Sequence, residues 1–162
     1  MIKLYRTKNE RVHEKLKSLL PARCKIERTE NGKPYADGIF FSLTHTADVA
    51  LIALSDCEIG IDAETMRERP FSSVLKRFTD REQREIEDTA DFLTHWVVKE
   101  AYIKMIGGTL AHDLKRLEFF GGELYIDGLK ADCGIFCSAL NGLIFCVCAN
   151  CKIPQTLNFE II

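Results

Sequence analysis

The sequence predicts an α+β fold in one compact unit, and three observations carry that prediction. Short apolar or alternating runs bounded by turn-forming residues lie before residue 65 and again after residue 116, which is strand behaviour. Between them, from Pro70 to Ile106, the apolar spacing is helical. The 162 residues are 46% hydrophobic and 28% charged, enough apolar material for a single core and too much for a disordered chain.

Taken in order, residues 2–6 read as a short strand. Residues 9–20 read as a helix, with Asn9 at its start, Leu16, Leu19 and Leu20 on its apolar face and Pro21 at its end. Three strands follow, at Ile39–Leu43, Val49–Leu54 and Glu58–Glu64. Thr79-Asp80-Arg81-Glu82 is a capping-box start inside the helical stretch, so two or three helices are expected there rather than one. After Gly107-Gly108 the expected strands are Leu117–Phe120, Glu123–Ile126, Ile135–Ala139, Leu143–Ala149 and Thr156–Ile161. Gly121-Gly122 and Asn141-Gly142 supply hairpin turns.

Net charge is −2 but unevenly spread. Residues 1–36 hold ten Lys or Arg against four acids, residues 37–100 seven against fourteen, and the remainder five against six. Nucleic acid would call for one continuous basic face, so it is not an expected partner. A phosphorylated ligand or an acidic protein partner suits this distribution better. No run approaches the roughly 18 apolar residues that span a bilayer, and the charged opening lacks a secretory core, so a cytoplasmic protein without membrane attachment is expected.

Three local patterns point to chemistry. In the strand Glu58–Glu64, Ile59, Ile61 and Ala63 share one face and Glu58, Gly60, Asp62 and Glu64 the other. Neighbouring carboxylates on one face suit a bound cation or raise one another's proton affinity; taken alone, a solvated strand face is the commoner reason for such a pattern. In the helix Asp91–Ile106, with Leu93 set at zero, Glu100 and Lys104 fall within about 20° of the centre of the apolar stripe at ~100° per residue. Charges there must be paired, bound to metal or lining a cleft. In Gly32-Lys33-Pro34-Tyr35 and Phe41-Ser42-Leu43-Thr44-His45-Thr46, hydroxyls and an imidazole end a strand, where phosphates are often met and simple turns are common too.

The order of these patterns is more specific than any one of them. Gly32-Lys33-Pro34, Phe41 to Thr46, Ile59-Gly60-Ile61-Asp62-Ala63-Glu64 and Trp96-Val97-Val98-Lys99-Glu100-Ala101-Tyr102-Ile103-Lys104 together resemble the signature series of Sfp-type 4'-phosphopantetheinyl transferases, over roughly residues 30–150. The W-x-x-K-E-A-x-x-K segment is the most specific part.

That resemblance implies a holo-acyl-carrier-protein synthase that transfers the 4'-phosphopantetheine arm of coenzyme A to a serine of an apo acyl or peptidyl carrier protein and releases 3',5'-ADP. Asp62, Glu64 and Glu100 would hold Mg²⁺. Lys104 would neutralise the diphosphate, with Lys99 assisting and Glu100 or a metal-bound water taking the serine proton. Thr44 and His45 would meet the coenzyme's phosphates, and Lys33 and Pro34 its adenine and ribose end. Trp96 would pack. The implied fold is 4'-phosphopantetheinyl transferase-like: two similar α+β halves, 1–64 (shortened) and 65–162, related by a pseudo-twofold axis with the cleft between them, in a monomer. Longer members carry a basic N-terminal segment that this sequence largely lacks, with Arg6, Lys8, Arg11 and Lys15 as candidate substitutes. Thr44 stands where the family has serine and Ser42 where it has asparagine.

Two readings compete for the activity: a metal-dependent nucleotide or coenzyme A phosphohydrolase, and a non-catalytic carrier-binding module. The seven cysteines are expected as reduced thiols, since the number is odd and no export signal is present. Cys133, Cys137, Cys148 and Cys151 have the spacing of a rival four-thiolate zinc site, against which Cys146 and Cys148 sit in an apolar strand.

Overall fold

The computed structural model describes residues 1–67 and 70–162. It is α+β, as expected, with boundaries shifted by one to three residues at most of the expected elements. The first sheet has the order β12-β1-β5-β4, from β1 (Lys3–Lys8), β4 (Phe40–Thr46), β5 (Val49–Ser55) and β12 (Phe159–Ile161). The second is β10-β11-β6, from β6 (Ile59–Thr65), β10 (Gly134–Leu140) and β11 (Leu143–Ala149). Two smaller sheets are the hairpin of β2 (Ile26–Arg28) and β3 (Pro34–Ala36), and β7 (Leu117–Phe120), β8 (Glu123–Ile126) and β9 (Leu129–Lys130). None of β2, β3 and β9 was expected. The strands cross the expected division after residue 64: β6 ladders with β11, and β12 returns to lie parallel to β1.

The helices are α1 (Val12–Leu19), α2 (Ser72–Leu75), α3 (Asp80–Glu85), α4 (Thr89–Ile106) and α5 (Leu110–Asp113). The stretch after Pro70 therefore holds three helices, and Thr79 closes the capping box with Glu82. Asn9 does not cap α1. Its side chain donates to the Ala47 carbonyl, and a 3-10 turn at Asn9–Arg11 precedes the helix. The turns at 121–122 and 141–142 all have positive φ, the geometry that lets a two-residue hairpin follow the strand twist.

The two main sheets meet along β4 and β6 without a backbone ladder, and side chains make the join. The Ile61 N–H donates to Ser42 Oγ at 3.1 Å, Thr44 Oγ1 donates to Asp62 Oδ1 at 2.9 Å, and the hydroxyls of Thr46 and Thr65 are 2.9 Å apart. On one side of this surface Ile59, Ile61 and Ala63 pack with Leu4, Leu51, Phe145 and Val147. On the other, α4 buries Phe92, Leu93, Val97, Ala101 and Ile103 against Ile144, Cys146 and Cys148. The period-two reading of β6 holds, with α4 rather than solvent covering its second face. A third cluster seats Val12 and Leu16 of α1 on Tyr5, Phe41 and Ile52.

α4 is buried on more than one face, so a single apolar stripe describes it too narrowly. Lys99 is fully buried. Its ammonium reaches Glu82 at 2.6 Å and lies 4.1 Å above the Phe78 ring. Glu82, also fully buried, accepts from the Thr79 and Phe119 amides at 2.9 Å each. Burial pushes the Lys99 ammonium below its ordinary value, and Glu82 pulls it back. Trp96 is only partly buried, stacked on Phe92 with ring centroids 6.3 Å apart.

The cysteines depart from expectation. Cys57 and Cys151 form a disulfide across 94 residues of sequence. The ladder of β6 with β11 pairs Ile59 with Ala149, so two residues further along the same register bring 57 and 151 opposite each other. Cysteine spacing along the chain could not reveal that pairing. It also removes Cys151 from the rival zinc set. Of the rest, Cys148 is buried in β11, with its thiol aimed at the Val98 carbonyl, and burial pushes the Cys133 thiol up to about 12.

Removing one partner of a buried ion pair strands the other charge in the core. Glu82→Ala and Lys99→Met should each destabilise the fold by about 3–5 kcal/mol, read as a lower urea midpoint. A loss below about 1 kcal/mol in both would mean that water reaches the pair.

Candidate active site

The site is made where α4 crosses β6. Gly60 makes the crossing possible: a Cβ there would overlap the Ala101 carbonyl oxygen and stand 2.5 Å from the Met105 nitrogen. With the backbones in contact, the next same-face residue of β6, Asp62, comes within reach of the helix. α4 is fixed at its start by Asp88, whose carboxylate accepts the Asp91 amide at 2.9 Å, and at its end by Gly107 in the left-handed region. Glu100 and Lys104, one turn apart, then project together.

Asp62 is buried, and its Oδ1 accepts from Lys104 Nζ at 2.6 Å and from Thr44 Oγ1 at 2.9 Å. Glu100 is half-buried, and its carboxyl is pushed up to about 7, first by burial and then by the charge of Asp62, with Glu64 adding to the effect and Lys104 opposing it. Three carboxylates from two elements thus share one electrostatic field. Beside them opens a cavity of about 460 Å³, lined by Lys33, Pro34, Glu100 and Lys104, with Arg28 and Leu110 on its walls.

The structure brings together five of the residues expected from sequence: Asp62, Thr44, Glu100, Lys104 and Pro34. Glu64 acts on Glu100 through its charge and lines a separate hollow with Phe71, Phe92 and Trp96. Lys33 reaches the cavity wall, but its ammonium is held by Glu58 at 2.9 Å and by the Met105 carbonyl at 2.5 Å. His45 is exposed and is not part of the cavity wall. Lys99 lies on another face of α4, closed off with Glu82, because only every third or fourth residue of a helix shares a face.

Of Arg6, Lys8, Arg11 and Lys15, the basic residues expected to serve the coenzyme's phosphates, Arg11 pairs with Glu14 on the surface and none lines the cavity. His13 and Arg28 do, and sequence reasoning missed both. A periodicity argument could have found His13, one turn before the buried Leu16. Nothing local marks Arg28.

Asp62, Glu64 and Glu100 offer the hard oxygen donors a divalent ion takes, and their mutual repulsion is what such an ion would relieve. Their ligand oxygens do not all lie within 4.8 Å of one another. Among the described residues only Asp56, Cys57 and Cys151 do, two of which are the disulfide.

Residues 58–132, the span that holds β6 and α4, match the 4'-phosphopantetheinyl transferase superfamily. The resemblance read from the motifs is thereby borne out, and the chain is related to these transferases by the segment that carries its site. It is 30% identical to the L-aminoadipate-semialdehyde dehydrogenase-phosphopantetheinyl transferase of Xenopus laevis over 120 residues, 60% of this chain and 40% of that protein. It is 33% identical to the 4'-phosphopantetheinyl transferase HetI of Nostoc over 106 residues, 56% of this chain and 45% of that protein. It is 31% identical to the 4'-phosphopantetheinyl transferase gsp of Aneurinibacillus migulanus over 89 residues, 51% of this chain and 38% of that protein. The matches thus span less than half the length of these curated relatives. Among the described residues no helix is long and apolar enough to cross a membrane.

Between pH 4.5, its ordinary value, and about 7, folded Glu100 keeps a proton that the unfolded chain has released. Stability in EDTA should therefore fall as pH rises through this window, by on the order of 2 kcal/mol. Glu100→Gln should flatten the profile between those limits. A slope unchanged by Glu100→Gln in urea titrations would place the shifted group elsewhere.

Proposed function

We propose that this chain transfers 4'-phosphopantetheine from coenzyme A to a serine of an apo acyl or peptidyl carrier protein, with Mg²⁺ and release of 3',5'-ADP. The reading rests on one observation: Asp62 of β6 and Glu100 and Lys104 of α4 converge beside a cavity large enough for part of a nucleotide. That convergence combines acid, base and cation at one point, which is most of what phosphoryl transfer asks of a protein.

On this reading the diphosphate of coenzyme A lies at the mouth of the cavity and its adenosine end along Pro34. Asp62, Glu64 and Glu100 would hold Mg²⁺, which supplies charge neutralisation at the diphosphate. Thr44 keeps the Asp62 carboxylate in one orientation. The carrier's serine oxygen forms a bond to the β-phosphorus while the phosphoanhydride P–O bond breaks, and 3',5'-ADP leaves with the electron pair. Glu100 or a metal-bound water accepts the serine proton. Lys104 turns from Asp62 toward the leaving diphosphate and neutralises the charge that develops there. No nucleophile of this chain is required. The proposal includes two similar halves, 1–64 and 65–162, about a pseudo-twofold axis with the cleft between them, in a monomeric cytoplasmic protein.

Intact-mass measurement of apo carrier proteins incubated with coenzyme A and Mg²⁺ should show addition of one phosphopantetheine, abolished by EDTA. Glu100→Gln should remove activity while the chain stays folded. Lys104→Ala should lower turnover by roughly a hundredfold or more, as loss of a preorganised charge-stabilising donor does. Near-normal turnover in either variant would refute the role given to that residue, and release of nucleotide without a carrier would favour the phosphohydrolase.

A further inference from the structure

The end of α4 is held by a part of the chain far from it in sequence. Two side chains of the β2–β3 turn reach the helix C-terminus: Lys33 Nζ donates to the Met105 carbonyl at 2.5 Å, and Asn31 Nδ2 donates to the Gly107 carbonyl at 2.9 Å. The last turn of a helix leaves carbonyls without amide partners. Here the Gly107 and Gly108 amides serve Ile103 and Lys104, so Met105 and Gly107 are the carbonyls that the hairpin supplies. Gly107 also has φ +67, and a Cβ on it would stand 3.3 Å from the Lys33 stem, so both helix termination and this approach favour glycine. The same ammonium takes Glu58 Oε2 at 2.9 Å, one residue before β6.

We propose that Lys33 is a positioning residue, not a ligand of the coenzyme's adenosine end: with Glu58 it clamps the end of α4 to the hairpin and to the start of β6, and so holds Glu100 and Lys104 opposite Asp62. The clamp closes a ring of contacts around the site. β6 carries Asp62 four residues after Glu58, and α4 carries Lys104 and Glu100 one and five residues before Met105. The hairpin turn is built to resist displacement, since Thr29 and Gly32 hold it through Thr29 N–H to Lys33 O at 2.9 Å, Gly32 N–H to Thr29 O at 2.8 Å and Arg28 Nη1 to Gly32 O at 2.8 Å. A cation at a helix C-terminus is further favoured by the helix dipole. The hairpin and the helix end form facing walls of the 460 Å³ cavity, so the same clamp sets its width.

The two roles for Lys33 make opposite forecasts for Glu58. If the Lys33 ammonium serves the adenosine end of coenzyme A, Glu58 competes with that ligand, and Glu58→Gln should tighten coenzyme binding. If Lys33 is a clamp, Glu58→Gln should mimic Lys33→Met. The experiment is hydrogen–deuterium exchange of residues 103–110 in the ligand-free full chain, alongside KM and kcat for coenzyme A, for Lys33→Met, Lys33→Arg, Glu58→Gln and the double variant. Loss of a charge-assisted hydrogen bond should speed exchange at the helix end by about tenfold in Lys33→Met and less in Glu58→Gln. The double variant should add little to Lys33→Met, and Lys33→Arg should restore protection. Turnover should fall by roughly tenfold or more, with a smaller change in KM, because misplaced reacting groups cost rate.

Unchanged protection in Lys33→Met, or a lower KM for coenzyme A in Glu58→Gln, overturns the proposal. Should Lys33→Met not fold, the direction of the Glu58→Gln effects and rescue by Lys33→Arg decide the matter. The turnover readout rests on the phosphopantetheinyl-transfer reading and the exchange readout does not. Absence of transfer in the unaltered chain would therefore refute that reading and leave the clamp to be decided by exchange.

Discussion

The contact between the backbone of α4 and the bare Cα of Gly60 is the constraint on which the site depends. A side chain at position 60 would push the helix off the sheet, and every distance at the site would grow with it. Asp62 would lose Lys104 first, because a 2.6 Å ion pair on a partly exposed lysine tolerates little separation before water replaces it. Close packing of helix on strand thus has a chemical consequence. It buries Glu100 and sets acids from an extended segment and a helix into one field, and the elevated proton affinity of Glu100 follows from the burial first and the neighbouring acids second.

That geometry requires α4 to be rigid about its own axis as well as close to the sheet, and three different interactions hold it. Asp88 caps its start, the hairpin and two glycines close its end, and Lys99 anchors its middle. The Lys99–Glu82 pair fits this purpose better than a purely apolar contact would. Two hydrophobic residues can slide past one another, whereas an ammonium held by a carboxylate that also accepts two backbone amides has one favourable orientation. Rotating α4 to bring Lys99 into the cleft would break all of these bonds. The residue that sequence reading placed in the chemistry thus acts on the fold that supports it.

Much of the fold was legible because its signals are local. Alternation in Glu58–Glu64 gave the orientation of Ile59, Ile61 and Ala63, and Thr79 with Glu82 gave the start of α3. The pairing of Glu100 with Lys104 on one helix face was legible too, since four-residue spacing fixes it whatever the helix packs against. What escaped depends on contacts across the chain. The Cys57–Cys151 disulfide follows from the register of β6 with β11, which no spacing rule contains. Lys33 escaped for the same reason: a lysine before a proline gives no sign that its ammonium will meet a carbonyl 72 residues away. Lys99 and Glu100 are adjacent, and the motif that contains both could not say which of them faces the cleft. The buried capping residue Glu82 decides it by drawing Lys99 inward.

The two main sheets meet through side chains rather than a ladder, and this has a bearing on how the site is assembled. A backbone ladder between β4 and β6 would fix the two strands through evenly repeated amide bonds and leave their side chains free. With the ladder absent, Ser42 accepts an amide of β6, and Thr44 commits its hydroxyl to Asp62. The seam that joins the sheets is therefore the same row of residues that orients an acidic group of the site. The small hydroxyl side chains of this row allow the close approach and satisfy buried polar groups at once, so apolar replacements of similar size would keep the packing and forfeit the orientation. The Ser42-to-Thr46 segment is thus bound to its residue types by the fold as well as by any ligand, and part of its motif character belongs to the join.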